Sequence, residues 1–381
     1  MSAAALVGAA ESDLGETGRT VLELQVQAIS RALADAGLDL SEVDGIATNG
    51  VGRFSSTSIS DVLGLRPRWA ESSFLGGSSF ESYVARAAHA IDAGQAETVV
   101  VAFASNQRSA RGRSLGGQVE RDLPEAQFET PYAPLFPLSY YAMAAQVYLY
   151  RYGRQRSDLA RVAVTAREWA LRNPAAFTYD DGPLRLADVL ESPLISSPLS
   201  KADCCLVTDG GGAVIVTSLD RARDLPSVPI RLLGYGEASS NVSMTSRSDI
   251  LDTGAADSGR RAFERAGLQP ADVDVLELYD SFTITTLLSL EALGIAEAGH
   301  AGRLFADGRT DPGGDRPVNT SGGGLAYCHP GQFGVLLLVE AVRQLRGVCG
   351  ARQVPDAQIA LAHGTGGILS HHATILLGRD G

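Results

Sequence analysis

Residues 32–50, ALADAGLDLSEVDGIATNG, return without a gap at residues 262–280 as AFERAGLQPADVDVLELYD. Six of the nineteen positions are identical: Ala32/Ala262, Ala36/Ala266, Gly37/Gly267, Leu38/Leu268, Val43/Val273 and Asp44/Asp274. Any helix–glycine–strand unit shares some of this pattern, but the match runs through the whole unit in one register. A unit that recurs this far along the chain predicts two similar halves packed as a pseudo-symmetric pair, with a site between them. The repeat distance is far too long for a solenoid.

The rest of the pattern agrees with an α/β chain. Residues 6–9, 45–48 and 97–104 read as strands, and 21–36 and 79–93 as helices that stop at Gly37 and Gly94. This rhythm implies a mainly parallel sheet covered on both faces. It breaks at 106–200, which reads as a long insertion folded over the core as one wall of a cleft. Helices are expected there at 140–152, 158–171 and 183–189. A hairpin of 204–207 with 213–217 is expected to follow. The rhythm resumes near Ile230, so the predicted division is 1–226 and 227–381.

Charge and composition exclude several classes. Lys plus Arg number 32 against 44 Asp plus Glu, a net charge of −12, which disfavours a nucleic-acid binder. No apolar run approaches the ~20 residues of a membrane helix. The N-terminus has no basic segment of a secretory signal. Four cysteines, Cys204, Cys205, Cys328 and Cys349, are too few for a disulfide scaffold, so a reduced, cytoplasmic protein is expected. The 42 glycines cluster at strand ends, where something must come close to the main chain.

Several segments together carry a resemblance: ADAGLDLSEVDGI, SFESYVARAAHAIDAGQAETVVV, RSDLARVAVTAREWALRNP, SPLSKADCCLVTDGGGAVIVTS, ELYDSFT, NTSGGGLAYCHPG and AHGTGG. The chain resembles the thiolase superfamily over nearly its whole length, and most closely its lipid-transfer, sterol-carrier-protein-X branch. The resemblance implies a thiolase-like fold, α-β-α-β-α in layers, built as a homodimer. It departs from thiolases where they do their chemistry. The position of the nucleophilic cysteine holds Gly77, and no cysteine precedes Cys204. The C-terminal acid/base cysteine is replaced by the region of His363. The His-Asp-Cys-Phe motif reads Tyr279-Asp280-Ser281-Phe282, and Gly-His-Pro reads Cys328-His329-Pro330, preceded by Tyr327.

Acyl transfer through a thioester needs an attacking thiolate, and Gly77 closes that route at the usual place. Tyr279 and Tyr327, each in a motif that lines the thiolase cleft, are the candidate proton carriers. A phenol cannot attack a thioester usefully, but it can exchange protons with an alcohol or an enolate. His329 is a candidate donor to a thioester oxygen that gains charge, and His363 is a further candidate. Asp280 is expected to cap the helix beginning near Phe282. Cys204 and Cys205 read as core, and His371 and His372 as a surface strand. Arg108, Arg111, Arg113 and Arg121 form a basic run, either a solvated face or a partner for acyl-CoA phosphates.

The resemblance implies an aldolase that cleaves a β-hydroxyacyl-CoA, as in steroid side-chain degradation, with a small OB-fold partner protein. No cofactor or metal is expected, CoA being part of the substrate. Two rivals stay open: an atypical acyltransferase using Cys328, and a non-catalytic acyl-CoA or lipid carrier subunit. The buried-looking strand at 97–104 is expected at a sheet edge, as part of a dimer interface.

Overall fold

The structure is a computed structural model that describes residues 4–112 and 121–379. The first half runs β1 (Ala4–Glu11), α1 (Val21–Ala36), β2 (Gly45–Thr48), α2 (Ser55–Leu63), β3 (Trp69–Glu71), α3 (Ser79–Asp92) and β4 (Thr98–Ser105). The insertion follows with α4 (Leu138–Tyr152), α5 (Arg156–Ala170), α6 (Leu186–Glu191) and the short strands β5 (Leu194–Ser196) and β6 (Leu199–Ser200). β7 (Gly210–Ser218) and α7 (Leu219–Ala222) complete that half. The second half comprises β8 (Ile230–Ser239), α8 (Ala255–Ala266), β9 (Val275–Leu278), α9 (Thr283–Ala292), α10 (Ala301–Ala306), α11 (Gly334–Arg346), β10 (Ile359–Gly366) and β11 (His371–Arg379).

The strand order is β3-β2-β4-β7-β1-β8-β11-β10-β9. Within it, β1-β7-β4-β2 pair antiparallel, antiparallel, parallel. β8-β11-β10-β9 do the same. The two halves meet where β1 and β8 pair antiparallel, Ala5 with Arg231 and Leu6 with Ile230. Helices α3 and α11 touch each other and strands of both halves, so they form the middle layer. Helix α1 covers the outer face of the first half and α8 that of the second. The layered, duplicated fold expected from the sequence is therefore present.

The repeated residues do the same work twice. Gly37 and Gly267 end α1 and α8 with φ of 71° and 68°, a left-handed conformation that glycine adopts without penalty. Asp44 accepts hydrogen bonds from the Glu97 and Thr98 amides at 2.8 and 2.9 Å, tying β2 to the start of β4. Asp274 accepts from the Gln358 and Ile359 amides, both at 2.9 Å, tying β9 to β10. Ala32 and Ala262 turn their carbonyls onto Gly8 of β1 and Gly234 of β8, where a Cβ would collide. Sequence identity thus survives where helix and strand backbones touch and where a carboxylate holds two strands together.

Four expectations fail. The sheet is not mainly parallel: β4-β7, β7-β1, β1-β8, β8-β11 and β11-β10 pair antiparallel, and only β3-β2, β2-β4 and β10-β9 pair parallel. β4 is not an edge strand: it lies between β2 and β7, and its valines are buried on both faces. Residues 204–207 do not pair with β7. Their amides turn the other way, Cys205 N–H donating to Ser281 O and Leu206 N–H to Gly324 O, both at 2.9 Å. Finally, β11 is an interior strand, so His372 is buried and His371 is mostly covered.

The insertion, although it belongs to the first half, is fastened to the second. Trp169 donates its indole N–H to Thr310 O at 2.9 Å, and Asn173 Nδ2 donates to Ser321 O at 2.9 Å. The Phe177 amide donates to Tyr327 O at 2.9 Å. This crossing brings α4 over the junction of the two halves.

Candidate active site

A cavity of about 300 Å3 opens where the start of α3, the loops after β9 and before α11, and the β10–β11 turn converge. Gly77, Tyr279, His329 and Thr365 line it from the two halves, Tyr141 from the insertion, and Cys204 and Cys205 from the segment between β6 and β7. Tyr279 sits at the end of β9, its amide donating to His363 O at 2.9 Å. Its hydroxyl lies 3.0 Å from His329 Nε2 and 3.5 Å from Gly331 O. The two rings meet edge to face at 5.6 Å between centroids.

Gly77 explains why this tyrosine can be there. A Cβ on Gly77 would fall onto the Tyr279 ring, 2.5 Å from Cζ, and 2.7 Å from Thr365 O. The ring of Tyr279 occupies the volume that any side chain at position 77 would need. Burial pushes the Tyr279 phenol well above its ordinary value, so it is held as a neutral donor.

His329 is fixed by its amide, which donates to Thr208 Oγ1 at 3.0 Å, and by Phe333, stacked on its ring at 6.1 Å. Burial lowers its imidazole to about 4, so it is neutral near pH 7. Nε2 engages Tyr279, while Nδ1 is buried with no hydrogen-bond partner among the described residues.

The other sequence-derived candidates lie elsewhere. Tyr327 is buried and does not line the cavity; its ring centroid is 6.5 Å from that of Phe333. Glu11 and Arg343 are close enough to act on its phenol, which places it on the far side of the loop. His363 is fully buried behind the wall. Its Nδ1 lies 2.8 Å from Thr374 Oγ1 and its Nε2 3.2 Å from His372 Nδ1. Burial holds His363 at about 3. Asp280 caps a different helical turn from the one expected. It accepts from the Gly324 and Leu325 amides at 2.6 and 3.2 Å, at the start of the wide turn Gly323–Tyr327. The reason is topological: that loop passes over the end of β9, and its amides reach the carboxylate.

The cysteines exchange roles. Cys328 is fully buried beside Thr208 Oγ1, 3.1 Å from its sulfur, away from the cavity, with its thiol pushed up to about 12. Cys204 and Cys205, expected in the core, line the cavity instead, and burial raises both thiols. Raised thiols are poor nucleophiles. Arg108 is already occupied: it pairs with Glu16 at 2.9 Å and lies over the Phe177 ring at 4.7 Å. Arg113 lies outside the described residues. Among the described residues no group of three or more His, Cys, Asp or Glu could hold a metal ion. No helix there is long and apolar enough to cross a membrane.

Glu81, in the first turn of α3, is a group the sequence did not single out. It is fully buried behind Gly77, and neither carboxyl oxygen has a hydrogen-bond partner among the described residues. A Cβ on Gly364 or Gly334 would collide with it. Burial pushes it from 4.5 up to about 8, so the fold keeps it protonated at pH 7 while the unfolded chain ionises it. A folded-state value above the unfolded one means stability that is full below about pH 4.5 and lost as pH rises towards about 8. The limiting slope is about 1.4 kcal/mol per pH unit. Glu81→Gln keeps the shape and removes the proton. Between pH 6 and pH 8 the wild type is expected to lose on the order of 2 kcal/mol more unfolding free energy than this variant. Urea denaturation at the two pH values checks it; equal losses would show that Glu81 is ionised in the native state.

The chain is similar to known proteins over most of its length. The Thiolase C-terminal domain-like family matches residues 236–379. The chain is 36% identical to the steroid side-chain-cleaving aldolase of Thermomonospora curvata, over 96% of this chain and 95% of that protein. It is 34% identical to the 17-hydroxy-3-oxo-4-pregnene-20-carboxyl-CoA lyase of Mycobacterium tuberculosis, over 95% and 96%. Among solved structures, the Ltp2-ChsH2(DUF35) aldolase superposes with a TM-score of 0.89 at 32% identity, covering 100% of this chain and 98% of that one. The chain belongs to the lipid-transfer branch of the thiolase superfamily, as a carbon–carbon lyase of the aldolase kind.

Proposed function

We propose that the chain catalyses retro-aldol cleavage of a β-hydroxyacyl-CoA bearing a steroid side chain, giving a ketone and a shorter acyl-CoA. The observation that carries this reading is the Tyr279 hydroxyl, set 3.0 Å from His329 Nε2 and filling the space over Gly77 where a thiolase holds its nucleophile. A proton carrier stands in place of a thiolate. Phe74, Phe136, Leu138, Phe282 and Ile368 give the cavity apolar walls suited to a fused-ring substrate. The names of the two full-length relatives specify steroid and CoA chemistry.

The reaction needs the β-hydroxyl proton removed, the Cα–Cβ bond broken and the resulting thioester enolate protonated at Cα. The thioester is its own electron sink, so no cofactor is required. His329, neutral and lining the cavity, is the donor for the thioester oxygen as charge develops there. The working assembly is a homodimer with a small OB-fold partner. The second protein in the name of the Ltp2-ChsH2 relative supports the partner.

The test is incubation with steroidal β-hydroxyacyl-CoA thioesters, with and without an OB-fold partner, and mass-spectrometric assay of both products. Ketone and shortened acyl-CoA in equal amounts are expected. Acyl transfer to free CoA, or a covalent acyl adduct on Cys328, would overturn the reading. Cys328→Ala is expected to keep most of the activity, because the thiol is outside the cavity and protonated.

A further inference from the structure

The chemistry above moves two protons, yet of the two tyrosines expected from the motifs only Tyr279 lines the cavity. A second phenol does reach it, from the insertion. Tyr141, in the first turn of α4, is almost fully buried and lines the same cavity. Its ring lies on that of Phe282, 4.4 Å between centroids, and its hydroxyl donates to Gly367 O at 3.3 Å. Gly367 is itself a cavity residue, so the hydroxyl is held at the wall, where the Ser281 side chain and the Leu369 backbone also act on it.

Arg247 stands behind that wall. Its Nη2 donates to Leu369 O at 3.1 Å, Ser370 Oγ at 3.3 Å and Asn241 O at 2.7 Å, and also to Ile368 O. Its Nη1 is buried without a hydrogen-bond partner among the described residues. Carbonyls hold this guanidinium in place, and Glu129 and Asp252 are the acidic groups that act on its charge. Burial raises the Tyr141 phenol above its ordinary value, and Cys205 and Tyr279 add to that; hydrogen bonds from Ser281 and the Leu369 backbone and the positive charge of Arg247 act in the opposite direction, towards a phenolate.

Resting on the retro-aldol reading, we infer that Tyr141 is the second proton carrier of the site, taking the β-hydroxyl proton in its phenolate form. The O–H pair becomes the new C=O bond of the ketone. The Cα–Cβ pair passes into the thioester as an enolate, and Tyr279 returns a proton to Cα. Tyr141 then gives its proton to solvent or back to Tyr279, and no oxidant or reductant is consumed.

Tyr141→Phe keeps the ring on Phe282 and removes the hydroxyl. With wild type cleaving a β-hydroxyacyl-CoA, this variant is expected to lose about 100-fold in kcat with KM within a few-fold and an unchanged thermal midpoint. Replacing Tyr141 by 3-fluorotyrosine, a more acidic phenol, is expected to restore activity and to move the acidic limb of the kcat/KM profile to lower pH. A Phe variant that cleaves at near wild-type rate, while Tyr279→Phe does not, would overturn Tyr141 alone. A fluorotyrosine enzyme with an unmoved limb would do the same. A wild type that cleaves no such thioester, with its partner present, overturns the retro-aldol reading and this assignment with it.

Discussion

Tyr279→Phe is expected to lower kcat by about 1000-fold, within the range that a lost general acid or base gives. The change deletes one oxygen, the one 3.0 Å from His329 Nε2, and leaves the ring where it fills the space over Gly77. Packing is therefore preserved, and the lost hydrogen bond costs roughly 1 kcal/mol of stability. Thioester binding should persist, because the phenol is asked to act in the transition state rather than the ground state. The measurement is steady-state kinetics with a β-hydroxyacyl-CoA, paired with a thermal melt. A variant that melts like wild type and turns over like wild type would make Tyr279 a packing residue.

Gly77→Ala is expected to be nearly as damaging by a different route. The new methyl meets the Tyr279 ring on one side and the Thr365 carbonyl on the other. Backbone cannot retreat there, so the ring must. Overfilling a packed site costs about 1–3 kcal/mol, and displacing a reacting group by about 1 Å can cost 100-fold in rate. Stability separates this account from a general intolerance of position 77. In a Tyr279→Ala background the ring no longer competes and only the Thr365 carbonyl contact remains, so the same Gly77→Ala change is expected to cost less than it does with the tyrosine present. A double-mutant cycle by urea denaturation reads that coupling directly. Additive costs would mean that the ring and position 77 do not compete.

Much of the architecture was legible because it rests on short-range chemistry. The repeated Ala-Gly-Leu and Val-Asp marked real junctions: a helix stop at Gly37 and Gly267, and a carboxylate tie at Asp44 and Asp274. Motif position also placed Tyr279 and His329 on the cavity. What the sequence hid depends on long-range packing. Two residues of spacing separate Tyr327 from His329, yet the wide turn Gly323–Tyr327 sends the tyrosine away from the cavity and the histidine into it. Tyr141 carried no motif. Its one signal was an aromatic-rich helix in an insertion, and only the fastening of that insertion to the second half shows where the helix goes. His372 was misread because β11 has neighbours on both sides, which pairing in space decides and local composition does not.

The exclusion between position 77 and the Tyr279 ring has a corollary for redesign. A chain carrying both a cysteine at 77 and a tyrosine at 279 cannot pack its own active site, because the two side chains claim one volume. Installing a thiol at 77 alone therefore supplies a nucleophile with a ring lying across it, and thiolate and phenol are alternative occupants of a single seat.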